Sequence, residues 1–336
     1  VAEVDKPNGS VGGNPHREPY QVHPLYSGEE WTDPKASDHI IYDDAAETGN
    51  DMKFPVKFRV VKPTDKETGE KRDQTHDAVR NMHYAKALNL PTLSKSPEPR
   101  FGRALIIGGA PSVKDHLPKI RELIKDPANE IFAVNWTHTW LLKQGIIPNN
   151  CVFFEIDPEP DTILLAPHKD ITYHICCHCH KKTFDSLQGY KRMLWHTCPN
   201  SNIEKDAHEE LFPDVDMVGG GIYTFTRSIT IALFLGFRHI DIFGCDSSFP
   251  DSSASTHVKD YETTAEMSEA MFVYAKNEET KEVRRFRTTG TLCLQAEEFK
   301  EYCRINHSLF SMYVHGDSLL QYCHKNGWPD QYRFEL

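Results

Sequence analysis

Ala104-Leu105-Ile106-Ile107-Gly108-Gly109-Ala110-Pro111-Ser112 is the stretch on which the fold turns. Four consecutive apolar residues, too few for a helix, fit a strand buried on both faces. The two glycines and the Pro-Ser pair then fit a tight turn into a helix, and the spacing predicts that helix over 113–125. A strand that turns at once into a helix is half of a βαβ unit. The same order repeats downstream, with strands expected at 131–134, 151–156, 171–176, 193–196, 215–218, 239–243 and 310–314. Helices are expected over 137–144, 223–235, 297–306 and 318–325. Residues 272–275 and 283–287, split by a charged turn at 277–281, read as a hairpin.

Upstream the pattern disappears. Residues 1–42 are rich in Gly, Pro, His and acids, without helical or strand period, and read as an extended arm. One strand is expected within 53–61, a charged turn over 62–72, and a helix over 77–88 that Pro91 stops. The organisation is thus an extended N-terminal arm (1–100, with a short strand and a helix) before one domain (101–336). The fold class is α/β: a doubly wound, mostly parallel, Rossmann-like sheet.

Bulk properties narrow the partners. The chain of 336 residues carries 38 Lys+Arg against 49 Asp+Glu, a net charge of −11. Such a field repels nucleic acid and anionic membranes, and no dense basic run offsets it. No stretch reaches the roughly 18 apolar residues of a membrane span. Residues 1–24 lack the apolar region of a signal peptide. Nine cysteines, an odd number set in periodic segments, fit free thiols, so a cytoplasmic location is expected. The arm, residues 1–50, is expected to dock on its own domain, on another copy or on a protein partner.

In open α/β sheets, ligands gather beyond the carboxyl ends of the strands. After the first strand, Gly108 and Gly109 allow close backbone approach, and the expected helix start offers free N–H groups to an anion. Ser112 there caps the helix or donates to a phosphate; a plain capped turn fits equally well. Asn135 ends the second strand, placed to read a base or ribose or to serve as an N-cap. Asp157 ends the third, suited to Mg²⁺ or a hydroxyl, with an Asp-Pro turn as the bland reading.

Gly219, Gly220 and Gly221 precede the apolar helix over 223–235. Three glycines exceed what a simple turn needs, so a second anion-binding helix start is favoured there, with Thr224 and Arg227 beside it. Asp246 follows strand 239–243 and faces the same cleft as Asp157 if both strands are central. Together with His257 in the following polar loop, these acids suit metal-assisted group transfer, with Asp246 and His257 as the catalytic pair. Cys176-Cys177-His178-Cys179-His180 suggests zinc, but neighbours on a strand point to opposite faces and no second knuckle follows. Ordinary thiols at a strand end are the favoured reading.

The segments ALIIGGAPSV, IFAVNWTHTWLLKQGIIPNNCVFFEIDP and GGGIYTFTRSITIALFLGFRHIDIFGCDSSF, with a later THV, resemble one family of Rossmann-like proteins. It is the archaeal-type hydroxymethylpterin diphosphokinase-like family, which includes uncharacterised bacterial and phage members. The likeness extends over roughly 85–320, through CHKKTFDSLQG, WHT, FRTTG and VHGDSLL. It implies diphosphate transfer from ATP to a pterin hydroxymethyl group, with Mg²⁺. By position it places Gly108, Gly109 and Ser112 in the first nucleotide loop, the triple glycine in the second, and Asp157 and Asp246 at strand ends. Ala110 stands where a Gly is common, and the arm lies outside the family's core.

The same loop order also resembles bacterial sialyltransferases, which bind a nucleotide sugar and share a Gly-x-Pro-Ser loop and an Asn after the second strand. There a His general base is implied, and His257 and His315 are the candidates. The expectation is a Mg²⁺-dependent transferase that takes ATP or another nucleotide and a small-molecule acceptor. The alternatives are a nucleotide-sugar glycosyltransferase, or a non-catalytic module anchored in an assembly by its arm.

Overall fold

The computed structural model describes residues 20–24, 40–41, 56–58, 74–156, 167–249, 271–276, 280, 282–306, 308–326 and 333–335. In the arm, β1 (Tyr20–Pro24), β2 (Ile40–Ile41) and β3 (Val56–Phe58) pair antiparallel in the order β2-β1-β3. Helix α1 (Gln74–Ala87) follows. Although it lies on the arm side of residue 100, its Ala78, Met82 and Ala85 are buried, and Met82 and Ala85 belong to the main core.

The main unit starts with β4 (Ala104–Ile107), a 3₁₀ turn (Pro111–Lys114) and α2 (Leu117–Leu123). Next come β5 (Glu130–Val134), α3 (Thr137–Lys143), β6 (Asn150–Phe153) and β7 (Thr172–Cys176). They lead to α4 (Lys181–Ser186), β8 (Lys191–Thr197), α5 (Asn202–Leu211) and β9 (Met217–Val218). Helix α6 (Thr224–Phe234) then precedes β10 (His239–Phe243). The hairpin β11 (Met271–Lys276) and β12 (Val283–Thr288), helix α7 (Gly290–Asn306), β13 (Ser311–Val314), α8 (Leu319–Asn326) and β14 (Arg333–Glu335) complete the order.

Eight strands form one parallel sheet in the order β13-β10-β4-β5-β6-β7-β8-β9. From β4 the chain adds each strand outward to β9, then returns over α6 to place β10 on the other side of β4. Right-handed crossovers put the outward helices on one face and the return helix on the other, so the sheet is doubly wound. Helix α6 accordingly packs across β4, β5 and β6. The reversal makes the β4/β10 boundary the topological switch point, where Ile107 is registered with Phe243. All of β4 and β6 is buried, as expected of strands covered on both faces.

Several expectations change: the helix expected over 297–306 starts already at Gly290, and the strand expected over 151–156 ends at Phe153. The helix expected over 113–125 is split into the 3₁₀ turn and the seven-residue α2. Pro118, at the start of α2, has no N–H, and its ring blocks the carbonyl four residues back, so a continuous helix cannot form. The expected hairpin forms, but it builds a separate antiparallel sheet, β12-β11-β14. An isolated bridge between Phe249 and Arg287 ties it to the chain beyond β10. Two helices, α4 and α5, were not anticipated. No helix among the described residues is long and apolar enough to cross a membrane, and all nine cysteines are free. Asp157, His257 and most of the arm lie outside the described residues.

Candidate functional site

The loop after β4 continues the sheet for two more residues. Gly108 N donates to Phe243 O (2.8 Å) and Ala110 N to Gly244 O (2.9 Å). This zipping carries Ser112 to Asp246 at the end of β10. Ser112 Oγ donates to Asp246 Oδ1 at 2.5 Å, and Ser112 N approaches Asp246 Oδ2 at 3.3 Å. A side chain on Gly109 would collide with the Trp136 ring, so that glycine is needed for close packing against the next loop.

Asp246 is only 4% exposed. Burial pushes its carboxyl up to about 6; the Ser112 hydrogen bonds pull the other way, and Asp115 adds to the rise. Helix α2 begins five residues beyond Ser112 behind its own Pro, so the glycine turn of β4 does not open into an α-helix start. The expected anion cradle is instead a 3₁₀ turn whose Ser112 amide faces the protein's own carboxylate.

Asn135, at the end of β5, takes a positive φ of 48°. Its Nδ2 donates to Thr224 Oγ1 (3.2 Å), and its Oδ1 is enclosed without a partner. The long helix α6 is thereby anchored at the same rim as the β4 loop. Its N-cap, Tyr223, makes no side-chain capping bond. The sheet therefore gathers Gly108, Gly109, Ser112, Asn135, Thr224 and Asp246 along the carboxyl ends of β4, β5 and β10.

The remaining second-loop residues are committed elsewhere. Gly221, with φ 75°, packs against the Glu298 carboxylate of α7, to whose Oε2 Ile222 N donates (2.9 Å). An internal carboxylate thus takes an amide that the sequence reading reserved for phosphate. Arg227 is buried, donates to Val218 O and lies over the Phe154 ring at 5.3 Å. Burial lowers its pKa, while Cys176, Cys198 and Glu298 oppose that shift. Beside this loop a groove of about 1060 Å³ runs between α6 and α7. Gly219, Gly220 and Gly221 line it, together with Thr230, Phe234 and Tyr302, but no residue of the β4 loop does.

His315, just beyond β13, lies next to the β4 loop through Gly316, which faces Ser112 and Asp246. Its ring stacks on Phe243 (4.1 Å, 6°), and its Nε2 pairs with Asp241 Oδ1 at 2.7 Å. Arg103 NH1 donates to the other oxygen of Asp241 at 2.6 Å. Burial alone would raise the Asp241 carboxyl, but the bonds from His315 and Arg103 outweigh it and hold the group below the ordinary range. A carboxylate on Nε2 fixes the proton there and leaves Nδ1 as the basic nitrogen. His116 stands edge-on to His315 at 6.0 Å; burial, then His315, lowers its pKa against the pull of Asp115.

Sequence reasoning named His315 but not its partners Asp241 and Arg103, nor Glu298 or Trp136. Asp241 inside an apolar strand was the available signal, because a carboxylate in a two-sided buried strand demands a partner. Glu298 left none, since the helix was expected to begin at 297 and an acid at such a start reads as solvent-facing, whereas α7 begins at Gly290 and carries Glu298 at its middle.

The family model described as 6-hydroxymethylpterin diphosphokinase MptE-like matches residues 76–252. No curated protein matches the chain. Among solved structures, the MAf glycosyltransferase from Magnetospirillum magneticum AMB-1 is similar, with a TM-score of 0.52 at 15% identity. The match covers 71% of this chain and 37% of that one, so this chain spans little more than a third of its neighbour's length. That likeness is one of fold, and it agrees with the parallel sheet described above. The family match takes in β4 to β10 and every described residue gathered at the rim, and by it the chain belongs to the 6-hydroxymethylpterin diphosphokinase MptE-like family.

Proposed function

We propose that the chain is a nucleotide-dependent transferase whose nucleotide lies at the switch point, across the carboxyl ends of β4, β5 and β10. The observation that carries this is the joining of Ser112 to Asp246 and of Asn135 to Thr224 on one rim. Polar groups from three strand ends and the start of α6 converge there, which is where open α/β sheets take their ligands. In this reading Asp246 orders the glycine loop, and Asn135 and the uncapped first turn of α6 face the nucleotide.

The reaction proposed is transfer of a diphosphate from ATP to a hydroxymethyl acceptor. The acceptor oxygen attacks the β-phosphorus, the bond from that phosphorus to the α,β-bridging oxygen breaks, and AMP leaves. The hydroxyl proton passes to a base, for which His315 Nδ1, oriented through Asp241, is the candidate within the described residues. Mg²⁺ belongs to the proposal as the ion a triphosphate brings with it. Of the two acids expected to hold it, Asp157 lies outside the described residues, and Asp246 turns both oxygens onto Ser112.

A thermal-shift series with ATP, cytidine nucleotides and nucleotide sugars, each with and without Mg²⁺, tests this reading. ATP with Mg²⁺ is expected to raise Tm, and AMP release is expected with a hydroxymethylpterin acceptor. If no nucleotide shifts Tm, the transferase reading fails.

A second reading, glycosyl transfer from a nucleotide sugar, is favoured by the His315–Asp241 pair, which suits a general base acting on an acceptor hydroxyl. A shift with cytidine nucleotides and none with ATP selects it.

A further inference from the structure

Far from the switch point, at the carboxyl ends of β7 and β8, three side chains converge that the proposed reaction does not use. Cys177 follows β7, His196 lies in β8, and His208 sits on the inward face of α5. One donor atom from each lies within 4.8 Å of the other two, and all three residues are buried. Cys177 is held in place because its N–H continues the sheet to Trp195 O at 2.9 Å. His208 is held by a helix start that Ser201 and Glu204 cap between them. Ser201 Oγ accepts from Glu204 N (3.2 Å), and the Glu204 carboxylate accepts from Asn200 N (2.8 Å). Glu204 and His208 are four residues apart and therefore share the inward face.

The two imidazoles meet nitrogen to nitrogen at 3.1 Å. That is close to the roughly 3.3 Å that separates two ligand nitrogens on a tetrahedral ion with bonds of about 2.0 Å. The facing nitrogens, His196 Nδ1 and His208 Nε2, have only each other here, whereas Nε2 on the other side of the His196 ring and Nε2 of His178 are buried without a hydrogen-bond partner. Phe212 closes the site, with its ring 4.4 Å from that of His196 and 5.4 Å from that of His208. Its other neighbour is Lys86, whose ammonium lies 5.2 Å from the Phe212 ring. That charge opposes a cation, whereas the Cys177 thiolate formed on binding offsets one positive charge of the ion.

We propose that Cys177, His196 and His208 form a structural binding site for a thiophilic d¹⁰ cation, Zn²⁺, which clamps α5 onto the edge of the sheet. The donor set of one sulfur and two imidazole nitrogens suits zinc, with a water as fourth ligand, and the burial of all three side chains suits an ion that holds the fold. The sequence hid this because only one ligand comes from the Cys176–His180 run. The other two stand 19 and 31 residues beyond Cys177, and only the parallel pairing of β7 with β8 and the docking of α5 bring them to it.

The test uses the full chain, produced in zinc-supplemented medium and desalted. Metal analysis is expected to find about one zinc per chain, and zinc added back to chelator-treated protein is expected to raise Tm by roughly 5 °C. Replacement by Co²⁺ is expected to give thiolate-to-metal charge-transfer absorption in the near ultraviolet. Cys177→Ser and His208→Asn should lose that band, while Cys198→Ser, at an exposed cysteine, keeps it. A folded wild-type chain that holds no zinc and shows no such band with Co²⁺ overturns the proposal. So does a band that survives Cys177→Ser, a result that needs no assumption about the stability of the variants.

Discussion

Asp246 shows how one side chain can be costly and useful together. Its carboxylate is buried against the Ser112 hydroxyl and amide, and its pKa is pushed up to about 6 from 3.8. Because the folded value lies above the unfolded one, the stability linked to this proton is fully present below about pH 4 and is lost as pH rises through 6. At neutral pH the loss is roughly 3 kcal/mol. Asp246→Asn removes the charge and keeps a polar partner for Ser112. Relative to wild type, the variant is expected to gain about 2–3 kcal/mol in urea unfolding on going from pH 4 to pH 7. A difference that does not change with pH would show that the carboxyl is not perturbed in the fold. In the proposed reaction the same variant is expected to lose nucleotide-dependent turnover, since the loop it orders loses its charged anchor. Glu298 poses the complementary case. Its carboxylate accepts from Ile222 N and offsets the charge of the buried Arg227. Glu298→Ala is expected to cost about 2–4 kcal/mol in chemical denaturation, and Glu298→Gln less, because Gln retains the acceptor.

At the scale of elements, α5 and α6 illustrate what local sequence does and does not say. Helix α6 was legible because a glycine turn leads into eleven residues rich in apolar side chains and free of Gly and Pro, which fits a helix crossing a sheet. Its destination was not legible: that Thr224 meets Asn135 depends on the return crossover from β9 to β10. Helix α5 escaped notice because its inward face is polar, with Glu204 and His208 where apolar residues would have marked a period. Its helix-start signal was nevertheless in the sequence, as Ser201 three residues before Glu204. Ser201→Ala is expected to destabilise the chain by about 1 kcal/mol, read as a lowered denaturation midpoint, because Glu204 N loses its acceptor. An unchanged midpoint would mean that packing alone defines the start of α5. Pro118 also belongs at this scale, since it was visible in the sequence yet read through, and it divides the segment after the first glycine turn.

For the whole molecule, the core joins α1 to the parallel sheet, and the described strands of the arm form a sheet of their own. Deletion of residues 1–50 is therefore expected to leave the main thermal transition within a few degrees of that of the full chain. Collapse of that transition would make the arm part of the core. A change in oligomeric state without loss of nucleotide binding would mark the arm as the assembly element. Acid sensitivity is also a property of the whole. His174 is fully buried beside Asn150, and burial lowers its pKa to about 4. A lowered histidine contributes stability that is present above about pH 6.5 and lost as pH falls through 4. In wild type, protonation of Asp246 offsets part of that loss over the same range. The Asp246→Asn chain is therefore expected to be the more acid-labile in a pH series of melting temperatures, and equal lability of the two would refute this coupling.

The order of strands and turns, the mostly parallel character and the position of the glycine turns were determined by the sequence itself. These features rest on local matters: unbroken apolar runs that suit two-sided burial, and residues that permit sharp turns. Only the tertiary structure decided that β10 lies between β4 and β13, which brings Ser112 to Asp246 on one side and His315 to Asp241 on the other. It alone turned Glu298 into the second glycine loop and brought Cys177, His196 and His208 together. Each of these pairings joins residues far apart in the chain, and its free energy depends on burial and charge that arise only once the sheet has closed around them.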